Sequence, residues 1–364
     1  MAGLSCGIVG LPNVGKSTLF NALTRKAAAA ANYPFCTIDP NVGIVDVDDP
    51  RLQALSDMSH SKKIIPATMT FVDIAGLVKG ASQGEGLGNQ FLTNIRETDA
   101  IVHVVRCFRN DDVIHVAGKV DPIADIEVIN LELILSDLQM VDNIVKKLEK
   151  QIKAKKELVP LFETLQKAAA HLNESKALRT LSLTAEEREH LTAYPFLTDK
   201  KVLYAANVSE NDLPSMENEY VAKVRAYAEK EGNQVIPICA KLEEEVAQLE
   251  PAEAREFLQT LGLEETGLDR LIKAAFNTLD LITYITTGEI ETRAWTIKKG
   301  TNAQEAAGKI HTDIQKGFIR AEVVPFEAMM HYKGRVGAKE AGKARSEGKE
   351  YIVKDGDVVL FFHN

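Results

Sequence analysis

Cysteine is scarce in this 364-residue sequence, and the four that occur, Cys6, Cys36, Cys107 and Cys239, stand far apart with no C-x-x-C pair among them. That spacing offers neither a zinc site nor a disulfide framework, and it suits a reducing compartment. Long apolar runs are missing too. None approaches the ~20 residues needed to span a bilayer, and the start of the chain has no basic stretch followed by a long apolar core. The expectation is a soluble, cytoplasmic protein with no membrane partner. Positive charge is in deficit, with 43 Lys and Arg against 52 Asp and Glu and a formal net charge of −9. This argues against whole-surface attraction to nucleic acid, and no DNA specificity is expected, although a local basic patch is still allowed.

What remains is an apolar fraction of 45% with 26% charged residues, enough to bury a core. The length exceeds what one compact domain of ordinary size requires. Strand and helix patterns alternate in the first part of the chain: strand at 4–9, helix from Lys16, strands at 42–47 and 70–73, helix at 91–96, strand at 101–105. Alternation of this kind predicts an α/β fold with a mostly parallel sheet, whose ligands sit at the C-terminal strand ends. From Leu131 the apolar steps change to three and four: Leu131, Leu135, Leu138, Val145, Leu148 and Ile152, then Leu158, Leu161, Leu165, Ala168 and Leu172. They predict an α-helical coiled-coil hairpin, with Lys146, Lys147, Lys150, Lys153, Lys155 and Lys156 as a solvated face. Thr184 with Glu187 has the form of a capping box for a further short helix. Strand patterns resume at 202–206 and 235–238, so the hairpin reads as an insertion. After about residue 281 strands surround one principal helix, 303–310, capped by Asn302, with strands expected at 282–286, 294–297, 319–323, 351–353 and 358–362. The pattern suggests a β-grasp. The expected division is a discontinuous nucleotide-binding domain at 1–130 and 199–280, a helical insertion at 131–198, and a β-grasp domain at 281–364.

The segment Gly10-Leu11-Pro12-Asn13-Val14-Gly15-Lys16-Ser17 fits the P-loop template G-x-x-x-x-G-K-[ST], between an apolar strand and an apolar helix. Backbone N–H groups from Asn13 to Thr18 would cradle phosphates, Lys16 would reach the β- and γ-phosphate oxygens, and the Ser17 hydroxyl would take one position on Mg²⁺. Asp73-Ile74-Ala75-Gly76 supplies the D-x-x-G pattern at a strand end. There Asp73 would hold Mg²⁺ through water, and the Gly76 N–H would meet the γ-phosphate. Thr37 is the expected switch threonine that completes the metal shell, with a plain loop threonine as the competing reading.

Two departures from Ras-like GTPases matter. Leu77 follows Gly76 where those enzymes place a glutamine that orients the attacking water. The base-reading pattern Asn-Lys-x-Asp appears as Asn207-Val208-Ser209-Glu210, with a longer carboxylate arm and no lysine stem, so guanine selectivity should collapse. Cys239-Ala240-Lys241 occupies the place of the second base-contacting loop, often Ser-Ala-Lys.

The run from Asp73 through Ser82, with Gly84-Glu85-Gly86-Leu87-Gly88-Asn89-Gln90, resembles the Obg-related P-loop GTPases. Asn207-Val208-Ser209-Glu210 narrows the resemblance to the YchF family, and the resemblance covers essentially the whole chain, because that family has a helical insertion and a C-terminal TGS domain. It implies an ATPase that tolerates GTP poorly, uses Mg²⁺, and associates with ribosomes as a translation or stress regulator, with the large subunit and its rRNA as the expected contact. A true Obg-class GTPase and a nucleotide-sensing module with negligible turnover remain alternatives.

With Leu77 unable to place water, His115 is the candidate for that task, since it follows the strand ending near Val105. A histidine between β-branched residues also suits a core or edge position. Cys36 adjoins Thr37 and reads as a plain buried thiol. The basic stretch from Lys333 through Arg335, Lys339, Lys343 and Arg345 to Lys349 reads either as a soluble loop or as a contact for RNA phosphates.

Overall fold

The computed structural model of the chain describes residues 4–30, 41–75, 87–110 and 118–364. Thr37, Gly76 and His115, together with Cys36 and Leu77, lie outside the described residues. In chain order the elements begin with β1 (Ser5–Val9), α1 (Lys16–Ala30), β2 (Val42–Val47), α2 (Pro50–Ser59), β3 (Ile64–Ile65), β4 (Ala67–Asp73), α3 (Leu87–Arg96), β5 (Ala100–Arg106) and α4 (Pro122–Gln151). They continue with α5 (Val159–Asn173), α6 (Ala185–Thr192), β6 (Lys201–Asn207), α7 (Glu219–Glu231), β7 (Gln234–Ile238), α8 (Ala240–Val246), α9 (Pro251–Thr260) and α10 (Gly267–Thr278). The described chain separates into two compact units, residues 1–43 with 70–271 and residues 44–69 with 272–364, a division that falls within β2, β4 and α10.

The first unit is built on a sheet of order β2-β4-β1-β5-β6-β7, parallel at every pairing from β4 to β7. Every residue of β5 is buried, which suits its mostly apolar sequence, broken only by His103 and Arg106: a central parallel strand is covered on both faces. Ile8, Val9, Val102, Val104 and Ala205 are fully enclosed with it. Because all these strands run the same way, their C-terminal ends at Val9, Asp73, Arg106, Asn207 and Ile238 lie along one edge.

The helical hairpin differs from the sequence expectation in its seam. Helix α4 starts at Pro122, capped by the Asp121 carboxylate, and its first half packs Ile126, Ile129 and Leu133 into the core of the parallel sheet. From Ile134 onward it faces α5, through Ile134, Val141 and Leu148 against Leu165, Ala168 and Leu172. Leu131 and Leu135, expected in the seam, are 45% and 40% exposed. A helix that serves two cores turns its buried face partway along, so Leu131 and Leu135 fall outside the seam while Leu138, Val145, Leu148, Leu158, Leu161, Leu165, Ala168 and Leu172 of the expected set lie in it. Asp137 ties the returning chain to α4, accepting from Leu197 N (2.9 Å) and from both Thr198 N and its hydroxyl (2.8 and 2.7 Å). The Thr184–Glu187 capping box is present in both directions.

The second unit continues with β8 (Leu281–Thr287), β9 (Thr292–Lys298), α11 (Ala303–Ile310), α12 (Thr312–Lys316), β10 (Phe318–Pro325), α13 (Phe326–His331), α14 (Arg335–Glu340), β11 (Arg345–Glu347) and β12 (Asp357–His363). Its sheet order is β11-β10-β12-β8-β9-β3, with β12 parallel to β8 between two antiparallel hairpins. One strand pair, a helix, a second pair and a central parallel strand define a β-grasp. Helix α11, capped by the Asn302 side chain on Glu305 N, lays Ala303, Ala306 and Ala307 against Tyr284, Ile297, Val323 and Val359. Three differences from expectation occur here. Residues 351–353 form an isolated bridge, Asn302 with Ile352, rather than a strand. The fourth strand of the grasp is instead β11, three polar residues without a hydrophobic pattern to betray them. The stretch read as a glycine- and lysine-rich loop holds α14 and β11, with Arg335 bonded to Glu322 (3.1 Å) and Arg345 to Glu347 (3.0 Å).

Candidate nucleotide-binding site

The turn between β1 and α1 has the backbone that a phosphate cradle requires. Asn13 and Gly15 take φ of 63° and 96°, the left-handed region that favours glycine. At Gly15 there is a second constraint: an added Cβ would lie 2.1 Å from Asn207 Nδ2. Gly10 is similarly enclosed, with a Cβ meeting Val14 Cγ2 at 2.9 Å and the Val104 carbonyl at 3.1 Å. Lys16, at the first turn of α1, donates to Asp73 Oδ1 at 2.5 Å, so the P-loop ammonium and the D-x-x-G carboxylate meet in one place. Ser17 is exposed beside it and Asp73 is half-buried at the end of β4. A hydroxyl and a carboxylate, both oxygen donors, suit a hard divalent cation such as Mg²⁺.

Asn207 joins this turn to the two loops on its other side. Its Nδ2 donates to the Val14 carbonyl (2.9 Å), and its Oδ1 accepts from Ala240 N (3.0 Å). Its own carbonyl accepts from Cys107 N (2.8 Å). One buried amide thus holds the P-loop, the end of β5 and the start of α8 in register. Both the amide and the carbonyl of this residue are committed to protein, so it acts as a junction. Val208 N donates to the Ile238 carbonyl (2.9 Å), and the Val208 side chain is almost fully buried. Cys239 and Ala240 are buried as well, and burial raises the Cys239 thiol pKa, which keeps it neutral.

A cavity of about 710 Å³ opens beside this junction, lined among others by Asn13, Gly15, Thr18, Asn207, Val208, Glu210, Cys239 and Ala240. The structure therefore brings together the phosphate-loop and base-loop residues singled out in the sequence. It also adds Phe108, Arg109 and Asn110, which follow β5, while Lys241 of the second base loop lines the rim bonded to Glu210. Phe108 is held from behind: the guanidinium of Arg106, almost fully buried, lies 4.7 Å from its ring centre and bonds the Phe108 and Asn110 carbonyls. The signal for these residues was their place at a parallel strand's C-terminal end, beside the phosphate turn. His103, within β5, is buried and neutral, its pKa pushed down to about 3 by burial and by the nearby Arg179 charge.

A phosphate-type turn on the first strand of a parallel sheet, a D-x-x-G strand end beside it and a cavity bordered by both base loops define a P-loop nucleotide-binding protein of the GTPase fold class. Comparison with known proteins takes this further. A family model described as "50S ribosome-binding GTPase" matches residues 5–156, and one for the YchF GTPase C-terminal domain, described as a protein of unknown function, matches 281–364. The chain is 55% identical over 363 residues to a protein of Escherichia coli O157:H7 named "Ribosome-binding ATPase YchF", covering 100% of this chain and 99% of that one. It is 54% identical to the protein of the same name from Bacillus subtilis strain 168, covering 99% of each. The structure of the Schizosaccharomyces pombe YchF GTPase superposes with a TM-score of 0.89 at 38% identity, over 100% of this chain and 99% of that one. The chain belongs to the YchF family.

Proposed function

We propose that this protein is a slow, Mg²⁺-dependent ATPase that takes GTP poorly and whose nucleotide state governs its association with the ribosome. The observation that carries this reading is the Asn207 junction, which sets the P-loop and the base loops around one cavity. The names of its relatives support both the ATPase activity and the ribosomal partner. In this reading Lys16 exchanges its Asp73 partner for the β- and γ-phosphate oxygens. Ser17, Asp73 and Thr37 would hold Mg²⁺, which when bound neutralises charge on the transferring phosphate. Gly76 would donate its N–H to the γ-phosphate, and His115 would orient the attacking water in the place Leu77 cannot fill. Asn13, Val14, Gly15 and Thr18 would bind the phosphates, with Val208, Glu210, Cys239 and Ala240 bounding the base.

The domain division that fits this activity is 1–130 with 199–280 for nucleotide, 131–198 as a helical arm and 281–364 as the TGS-like unit. The last two would offer the ribosomal surface, with large-subunit rRNA as the partner and the cytoplasm as the place. Among the described residues no helix is long and apolar enough to cross a membrane. A matched titration with non-hydrolysable ATP and GTP analogues, followed by ribosome co-sedimentation in each state, tests the reading. Tighter ATP-analogue binding and state-dependent sedimentation are expected; preference for the GTP analogue would overturn the nucleotide assignment.

A further inference from the structure

At the rim of the base cavity, Glu210 Oε2 accepts from Lys241 Nζ at 2.6 Å, so the two base loops are joined by an ion pair. Both side chains are substantially exposed, at 44% and 65%, so the pair contributes little to stability. Its consequence is instead where the carboxylate faces. Guanine recognition by a carboxylate needs two acceptor oxygens turned together toward the neighbouring N1–H and N2–H donors of the base. An oxygen bonded to Lys241 keeps a second lone pair, so the ion pair acts through orientation: it pins the carboxylate toward Lys241 and opposes turning both oxygens together toward a guanine. The exocyclic amine of adenine asks for one acceptor, which the other oxygen still offers.

We propose that Lys241 is a positioning residue for base selection: by holding Glu210 it withholds the bidentate acceptor from guanine and leaves a single acceptor for adenine. The inference rests on the nucleotide reading above. Lysine is charged across the working range at its ordinary pKa, and the bond to Glu210 raises that pKa further. Since the pair is exposed, salt weakens it, and guanine discrimination should weaken in parallel.

The test is calorimetric binding of ADP and GDP to the native chain, Lys241→Met and Lys241→Arg, each at low and high salt. The native chain should prefer ADP, and that preference should narrow as salt rises. Lys241→Met should narrow it by roughly tenfold, the worth of one charge-assisted hydrogen bond, and should remove its salt dependence. Lys241→Arg should restore both. If the native chain prefers ADP but Lys241→Met keeps the native ratio, or loses both nucleotides equally, the inference is overturned. If the native chain shows no preference at all, the reading of the base loops fails first and takes this inference with it.

Discussion

Gly15 is the residue at which backbone geometry and nucleotide chemistry meet most tightly. Its φ of 96° and the 2.1 Å gap to Asn207 Nδ2 leave room for no side chain, so Gly15→Ala must displace either the turn or the junction amide. We expect that variant to lose nucleotide affinity by at least tenfold in a fluorescence titration while the far-ultraviolet dichroism stays native; unaltered affinity would mean the turn is not the phosphate cradle. Asn207→Ala should act on the same property from the other side, leaving the Val14 carbonyl and Ala240 N without partners. A different kind of residue, Glu243, sits on α8 almost fully buried, its carboxylate accepting from Gly267 N at 2.7 Å. Burial pushes its pKa from 4.5 up to about 7. Between those values the native state binds more protons than the unfolded state, so this group's contribution makes stability fall as pH rises through the window. Glu243→Gln keeps the acceptor and removes the titration. Its urea midpoint should therefore gain on the native one as pH rises from about 5 to about 7, and a constant difference between the two curves would refute the assignment.

At the scale of elements the hairpin offers the sharpest contrast. Leu165 is wholly enclosed between α5 and α4, whereas Leu135 lies on the outer side of α4. Leu165→Ala should cost about 2–5 kcal/mol and speed hydrogen exchange through both helices, while Leu135→Ala should change little. Equal effects would place the seam where sequence spacing alone puts it. The parallel sheet was legible because its strands are short, mostly apolar runs, and two of them end at motifs with fixed chemistry, β1 at the P-loop and β4 at Asp73. The two-faced role of α4 was not, because its heptad Ile134, Val141, Leu148 overlaps a second apolar set, Ile126, Ile129, Leu133, that serves another core. Helix α2 was invisible for a related reason. Its buried face is only Leu52, Leu55 and Ser56, and what declares it is the Asp49 cap with Pro50 at the first turn. Phe108 and Arg109 carry no motif of their own, and their one signal in the sequence is their place just past β5, which the fold brings to the cavity.

Across the molecule the net charge of −9 opposes contact with RNA, so ribosome association must work through local surfaces. In the β-grasp unit the arginines of the basic stretch are engaged, Arg335 with Glu322 and Arg345 with Glu347, while Lys333, Lys339, Lys343 and Lys349 stand exposed. Lys339→Glu with Lys343→Glu should weaken ribosome co-sedimentation, most at low salt, and leave ATP binding unchanged. Sedimentation that ignores the reversal across a salt series would move the contact elsewhere. The claim on which all of this depends is that one site, organised by Asn207, binds and hydrolyses ATP with Lys16 on the phosphates. Single-turnover phosphate release with Mg²⁺ tests it directly, comparing ATP with GTP in the native chain and in Lys16→Ala. The account predicts slow release from ATP, slower release from GTP, and loss of both in the variant. Native-rate ATP hydrolysis by Lys16→Ala would contradict it.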